Sequence, residues 1–159
     1  MPGSIVLAPS TADELKWAPI RADWILEGEP EARRSVLAKS EDRTSYMMCW
    51  ECTPGRFNWD YPQDEAVVIV GGEVFITANG DTERRLGPGD SAFFPAGTSA
   101  TWRVTSTVRK VAVFREPVPH PLAVLMRAWT KSKTVAARVS MKARWIPSGL
   151  LAFGADQNP

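Results

Sequence analysis

The sequence has a single histidine, two cysteines, almost no net charge and no long apolar run. A transition-metal site needs several nitrogen, sulfur or carboxylate ligands at one point, and one histidine cannot supply a set of imidazoles. That residue, His120, lies in a proline-flanked linker and is interpreted as a surface or capping residue. We therefore expect no bound metal and no cofactor.

The charge balance and the missing apolar segments exclude other classes of protein. Nineteen basic side chains against 18 acidic ones create no field that would favour nucleic acid or an anionic membrane. No apolar segment approaches the ~20 residues that cross a bilayer. The N-terminus has no basic start followed by an apolar stretch, and two cysteines suit a reducing compartment, so a cytoplasmic location is expected.

The chain is rich in residues that end strands and form turns. Thirteen prolines and eleven glycines separate short runs rich in Val, Ile, Phe, Thr and Trp. Strands at this spacing, with named turn residues between them, favour an all-β sandwich, jelly roll or barrel in one domain. The predicted strands are 35–39, 46–53, 56–61, 65–70, 74–78, 83–86, 91–95, 101–105 and 108–115.

One hairpin is predicted over residues 73–86. Asn79-Gly80 lies between VFITA and TERRL, and Asn-Gly suits a turn whose two central residues need positive φ. The returning strand carries Glu83, Arg84 and Arg85, which predicts an edge strand or a solvated face.

After residue 115 the pattern changes from strand to helix. Leu122, Leu125, Met126 and Trp129 recur at helical spacing behind Pro121, which predicts an amphipathic helix over about residues 121–131 that packs on its own barrel or on a partner. Residues 143–159 could add a strand. Residues 120–159 carry six basic side chains and one acid, interpreted as a solvated or docking surface rather than an anion site.

Cys49 and Cys52 form a CxxC sequence, which is the spacing of redox and zinc sites. They lie at the end of a predicted strand, where positions i and i+3 point to opposite faces. No second pair completes a zinc site. Structural cysteines are the favoured interpretation, and a reactive pair is the alternative.

The stretch NWDYPQDEAVVIVGG places one carboxylate, Glu65, at the start of an apolar run, with Trp59 and Tyr61 alternating before it. This alternation fits cross-strand packing beside a solvated or ion-paired acid. It equally fits an aromatic pocket around a functional acid. The residues alone leave both interpretations open.

Residues 50–115 resemble a cupin domain, and more closely the small cupins related to ureidoglycine aminohydrolase and the ethanolamine-utilisation cupins. The matching positions are Gly55, Glu65 and Gly72 in the first motif and Gly89, Asp90, Pro95 and Gly97 in the second. Where metal-binding cupins place histidines, this chain has Trp59, Tyr61 and Ala100. Only Glu65 remains of the ligand set.

The resemblance implies a double-stranded β-helix, the cupin jelly-roll barrel, with an N-terminal arm over 1–32, the barrel over 33–116, and a linker, short C-terminal helix and basic tail over 117–159. Small cupins pair through edge strands and swapped arms, so a homodimer without nucleic acid or membrane partners is expected.

The resemblance also favours the pocket over simple packing. Trp50, Trp59 and Trp102 would be its walls, Glu65 an acid or base in surroundings that disfavour the charged carboxylate, and Tyr61 a donor. Glu65 could instead pair with Arg109 or Lys110 to bind a polar metabolite.

The predicted function is a metal-independent isomerase, dehydratase or lyase acting on a small polar or aromatic metabolite. The alternatives are a small cupin that binds or senses a metabolite without transforming it, a scaffold that docks a partner through its basic tail, and a metal-dependent aminohydrolase-like cupin.

Overall fold

The structure is a computed structural model that describes residues 5–8, 14–78 and 80–143, with the backbone alone for 132–143. The chain divides into two compact units, Met1–Pro117 and Val118–Pro159. The first unit is built from β-strands and the second contains a helix. The finer division into arm, barrel and tail remains a prediction.

Nine antiparallel strands of the described residues form the first unit, so the all-β prediction is confirmed. They are β1 (Lys16–Trp17), β2 (Ile25–Glu27), β3 (Ala32–Lys39), β4 (Ser45–Cys52), β5 (Gly55–Tyr61), β6 (Asp64–Ala78), β7 (Arg84–Leu86), β8 (Ser91–Phe94) and β9 (Thr98–Arg115).

Two long bent strands, β6 and β9, run through both halves of the sheet and pair with each other. The first half of β9 also pairs with β5, and its second half pairs with β4. Each long strand was predicted as two short ones. The chain bends at irregularities in the register around Gly71 and Glu73 instead of ending there. Gly72 has a φ of 71°, and a Cβ at this position would collide with the backbone of Thr107.

Two short strands, β1 and β2, were absent from the prediction. Strand β1 pairs with β3, and β2 pairs with β5, so part of the N-terminal arm extends the sheet at both ends of one path. A single 3₁₀ turn over Ala22–Trp24 precedes β2 and places an indole beside β5.

The predicted hairpin and its edge strand are confirmed. Strand β7 pairs with the end of β6, in the register Val74 opposite Leu86, and with no other described strand. The charged side chains of β7 are exposed, as an edge strand requires. Asn79 itself lies outside the described residues.

The second unit contains α1 (His120–Ala143), which begins where it was predicted and ends later. The sequence after Trp129 contains neither proline nor glycine before Pro147, so nothing stops the helix at residue 131. No described helix is long and apolar enough to span a membrane. His120 is exposed. The strand suggested over 143–159 falls almost entirely outside the described residues, and the homodimer remains a prediction.

The alternation of side chains along each strand determines which of them point into the barrel. On β5, Phe57, Trp59 and Tyr61 point inward, while Asn58 and Asp60 point outward and are exposed. The inward side chains of β4, β5, β6 and β9 form one continuous core. Two charged residues, Glu65 and Lys110, are buried in the same unit.

Candidate functional site

Two oppositely charged side chains are buried at the centre of the barrel. Lys110, on β9, and Glu65, at the start of β6, are 3% and 1% exposed. The Lys110 Nζ donates a hydrogen bond to Glu65 Oε1 at 2.6 Å. Charged groups of these types are almost never fully buried unless they are paired. The pair is therefore the strongest departure from an ordinary apolar core.

Three tryptophans surround the ammonium group of Lys110. Its Nζ lies 4.4 Å from the ring centroid of Trp102, 4.8 Å from that of Trp50 and 5.9 Å from that of Trp59. The electron-rich faces of indole rings attract a cation, most strongly where water is excluded. The rings also meet one another edge to face, with centroids 5.9 Å apart for Trp50–Trp59 and for Trp50–Trp102. Together these three rings form the tryptophan cage.

Strand register explains why the cage forms at this point. Lys110 lies directly opposite Trp50 on β4 and opposite Ile69 on β6. Trp102 occupies the same face of β9, eight residues earlier, and lies opposite Phe57 on β5. The long lysine side chain consequently reaches along the barrel into a space bounded by aromatic rings.

Tyr61 closes the cluster on one side. Its ring stacks on Phe94 at a centroid distance of 4.3 Å, and its hydroxyl accepts a hydrogen bond of 2.8 Å from Trp102 Nε1. Burial and the nearby Glu65 carboxylate raise the pKa of Tyr61 well above its ordinary range. The side chain is therefore a neutral phenol that still carries a proton to donate.

Six of the seven predicted site residues thus converge, and the seventh does not. Arg109 points to the opposite side of β9 from Lys110 and binds Glu51, with 2.6 Å between Arg109 Nη2 and the Glu51 carboxylate. Of the two cations considered as partners for Glu65, the structure selects Lys110. Arg109 is not brought to the cluster, because neighbouring residues of a strand face opposite sides.

The interior also differs from the open aromatic pocket that was expected. The lysine ammonium occupies the space between the cage and Glu65, and both charged groups are sealed from solvent. No buried side-chain nitrogen or oxygen of the described residues lacks a hydrogen-bond partner. The site is a closed, internally satisfied cluster that a ligand reaches only if a wall moves.

The donor set does not fit a transition metal. The inward positions expected for histidine ligands carry two aromatic side chains, Trp59 and Tyr61, and the methyl group of Ala100, which lies opposite Trp59. No group of three or more potential His, Cys, Asp or Glu ligands occurs among the described residues. Lys110 moreover places a positive charge against Glu65, which repels any second cation there.

The two cysteines are buried thiols and form no disulfide with each other. Cys52 packs in the barrel core, and burial raises the pKa of its thiol to about 12. Cys49, on the other face of β4, is also buried, and burial raises its pKa as well. Because the thiolate is the reactive form, these surroundings favour structural cysteines over a reactive pair.

One aromatic residue near the site, Trp24, was not predicted from the sequence. Trp24 packs edge to face on Trp59, with 5.3 Å between centroids, and forms part of a cleft of about 510 Å³. Tyr61 also lines this cleft, which is open to solvent. The available signal was an indole among apolar residues in WAPIRADWIL, within a proline-interrupted segment that gave no periodic pattern.

Comparison with known proteins agrees with this architecture. Residues 39–112 match the family model of the EutQ-like cupin domain. No curated protein matches the chain. Among solved structures, a protein of unknown function from Pseudomonas syringae pv. tomato is 20% identical with a TM-score of 0.61, covering 67% of this chain and 46% of that one. The match therefore spans less than half of that protein.

Two further structures are covered almost completely. KdgF from Halomonas sp. is 17% identical, with a TM-score of 0.52 and coverage of 72% of this chain and 96% of that one. A candidate mannose-6-phosphate isomerase from Ralstonia eutropha is 22% identical, with a TM-score of 0.52 and coverage of 70% and 98%. The chain has the jelly-roll fold of the cupins, and its place among the ureidoglycine aminohydrolase relatives remains a prediction.

Proposed function

We propose that this cupin is a metal-independent enzyme that moves protons on a small metabolite, with Glu65 as the acid or base and Lys110 as a fixed positive charge beside it. One observation carries the proposal: a hydrogen-bonded ammonium and carboxylate, 2.6 Å apart, held inside a cage of tryptophans. Buried, charged and mutually oriented groups of this kind are typical of active sites.

The chemistry that suits the pair is removal of a proton from a carbon next to a carbonyl group. Glu65 would accept the proton, and the Lys110 ammonium would stabilise the negative charge that develops on the carbonyl oxygen. Because the cage excludes water, this electrostatic stabilisation is larger than it would be in solution. Isomerisation, and elimination of water or another group from the next carbon, both begin with such a step.

Tyr61 fits the role of proton donor in the same reaction. Its hydroxyl accepts a hydrogen bond from Trp102 and keeps its own hydrogen, and its raised pKa keeps the phenol protonated at neutral pH. A neutral phenol donates a hydrogen bond to a developing oxyanion without adding charge to the site.

A substrate needs a route to the closed interior. Trp59 is only partly buried, contacts Trp24 at the cleft and lies farthest from the ammonium of the three cage rings. Rotation of Trp59 about its side-chain torsions would connect the cleft to the pair. We therefore propose Trp59 as the wall that moves when a substrate enters.

Solvent deuterium exchange tests the proposal across whole classes of carbonyl compound. Panels of 2-oxo acids, 2-hydroxy ketones and aldoses are incubated with the protein in D₂O, and loss of the proton next to the carbonyl is followed by NMR. The wild type is expected to exchange at least one class, and Glu65→Gln to exchange it about 100-fold more slowly or worse. Glu51→Gln, which alters a carboxylate on the outer face, is the matched control. Unchanged exchange in Glu65→Gln would remove that residue from the mechanism.

A second candidate function is binding without turnover. The closure of the interior favours it over catalysis inside the barrel, because Lys110 and Glu65 already bind each other and every described buried side-chain nitrogen and oxygen has a partner, so a ligand would bind outside the closed cluster. In that case the pair would hold the barrel walls in place, and no compound class would exchange deuterium above the uncatalysed rate.

A further inference from the structure

A polar groove runs across the outer surface of the barrel. Two clefts of about 510 Å³ and 330 Å³ make up this groove, and both are lined by Asp60 and Ser99. These residues lie opposite each other on β5 and β9. The groove is therefore continuous from the 3₁₀ turn near β2, across β5 and β9, to β6.

The floor of the groove is a ladder of hydrogen-bonding side chains in register. Asn58 on β5 lies opposite Thr101 on β9, which in turn lies opposite Thr77 on β6. Thr101 Oγ1 donates to Asn58 Oδ1 at 2.8 Å, which orients the Asn58 amide group so that its N–H groups remain to bind a ligand. The ladder thus offers hydroxyls and an amide as both donors and acceptors.

The charges at the groove select against an anion. Asp60 has neither a hydrogen bond nor an ion pair from its carboxylate within the described part of the chain. The one basic residue of the lining, Arg21, is already bound to Asp23, with an Nε to Oδ1 distance of 3.0 Å. The exposed Asp60 carboxylate acts electrostatically on Arg21 without bonding to it, so its oxygens remain to accept hydrogen bonds from hydroxyl groups and to repel carboxylates and phosphates.

An aromatic surface stands at the end of the groove near the 3₁₀ turn. Trp24 lines the larger cleft and is held on one side by the Arg21 guanidinium, 5.0 Å from its ring centroid, and on another by Trp59. A rigid indole of this kind provides an apolar contact for C–H groups at low entropic cost. An apolar wall combined with a few oriented polar groups is the usual composition of a small-molecule site.

We propose that this groove binds a neutral, polyhydroxylated molecule, that is, a sugar or a short oligosaccharide. Asp60 and Ser99 would bind adjacent hydroxyls, the Asn58–Thr101–Thr77 ladder would bind those of a second ring, and Trp24 would contact the apolar face of the first. This proposal does not depend on the proposed function, because none of the residues that would bind the sugar belongs to the buried cluster, and the larger cleft is shared with the proposed entry route only through Trp24.

Titration of the labelled protein with xylose, glucose and maltose, followed by two-dimensional amide NMR, tests the inference. We expect at least one sugar to bind with a dissociation constant in the millimolar range and to shift signals on β5 and β9. Maltose should bind more tightly than glucose, because it spans both clefts. Asp60→Asn should weaken binding about tenfold, roughly the effect expected for one charge-assisted hydrogen bond.

The matched control is Glu29→Gln, which neutralises an exposed carboxylate that does not line the groove. This variant should bind sugars as the wild type does, and Trp24→Leu should weaken binding like Asp60→Asn. Absence of any shift at about 50 mM sugar, where millimolar binding would be nearly saturated, would overturn the inference. So would binding that Asp60→Asn leaves unchanged.

Discussion

Two ion pairs lie side by side on β9 and differ mainly in what surrounds them. Lys110 points into the barrel, where it and Glu65 are at most 3% exposed. Arg109 points outward, where it and Glu51 are 28% and 26% exposed. Both pairs have a shortest nitrogen–oxygen distance of 2.6 Å. Because the Coulomb energy and the desolvation cost both grow as water is excluded, equal geometry predicts very unequal consequences of mutation.

The difference teaches where a charge can matter in this fold. In the outer pair, each charged group exchanges contacts with water for contacts with the other group, so the pair adds little to the stability of the fold. The inner pair is out of contact with water, so each charge is stabilised only by its partner and by the tryptophan cage. A side chain that costs so much to bury is a candidate for chemistry, whereas its neighbour on the same strand is not.

The largest expected effect comes from breaking the inner pair. Lys110→Met leaves the Glu65 carboxylate buried without a partner, and Glu65→Leu leaves the ammonium likewise. Each variant should lower the free energy of unfolding by about 3–5 kcal/mol, measured by urea denaturation. A loss below 1 kcal/mol in both variants would show that water reaches the pair.

Replacing both members together should restore most of that stability. The double variant Lys110→Met with Glu65→Leu fills the same space with apolar side chains, and such exchanges are often neutral or stabilising. We expect it to unfold within about 1–2 kcal/mol of the wild type. Strictly additive losses would instead indicate that each residue packs independently of its partner.

An intermediate effect is expected at Tyr61. Tyr61→Phe removes the acceptor of the Trp102 Nε1 hydrogen bond and leaves a buried donor unsatisfied, which should cost about 1–3 kcal/mol in urea denaturation. The control is Tyr46→Phe, whose hydroxyl binds Gln63 in a less buried position. Equal losses in the two variants would contradict the assignment of Tyr61 to the closed cluster.

The two buried thiols lie on opposite faces of β4, so the inner and outer faces can also be compared through the pH dependence of stability. Burial raises the pKa of Cys52 from 9.0 to about 12, so the unfolded chain loses this proton first as pH rises. The associated stability is fully present below pH 9.0 and is lost as pH rises towards 12. Cys52→Ala should therefore lose less stability than the wild type between these values, by up to about 1.4 kcal/mol per pH unit.

Cys49→Ala should reduce the loss of unfolding free energy at alkaline pH less than Cys52→Ala does, because Cys49 lies outside the barrel core. Denaturation at a series of pH values measures all three slopes, and any effect of the lost side-chain volume cancels in the slope. A larger change for Cys49 would reverse the assignment of the two faces.

The smallest effect is expected at the outer pair. Arg109→Met should cost about 0–1 kcal/mol of unfolding free energy, and the loss should shrink further when salt is raised, because the pair is partly exposed. A loss as large as that of Lys110→Met would mean that exposure does not distinguish the two pairs.

Turn chemistry and alternation were sufficient to predict most of the strands and much of the cluster. The β6–β7 hairpin followed from its Asn-Gly turn, and Trp59 and Tyr61 were placed on one face by their spacing. The choice between Arg109 and Lys110 was not accessible, because β9 was predicted as two separate strands. Within one continuous strand, the alternation that buries Trp102 also buries Lys110.

Other features depend on tertiary contacts that no local pattern encodes. Strands β1 and β2 contain two and three residues and exist because β3 and β5 offer free edges to pair with. Trp24 reaches the cleft through this pairing. The closure of the interior was likewise unpredictable, since it requires the lysine ammonium to fill the space between Glu65 and three rings that come from different strands.

Deuterium exchange on the repaired double variant tests the central claim most directly. Wild type, Lys110→Met with Glu65→Leu, and Arg109→Met are compared in D₂O on the carbonyl compound that the wild type exchanges fastest. We predict exchange in the wild type and in Arg109→Met, and a loss of about 100-fold or more in the double variant despite its restored fold. Equal exchange in all three proteins, or none in the wild type, would contradict a catalytic role for the buried pair.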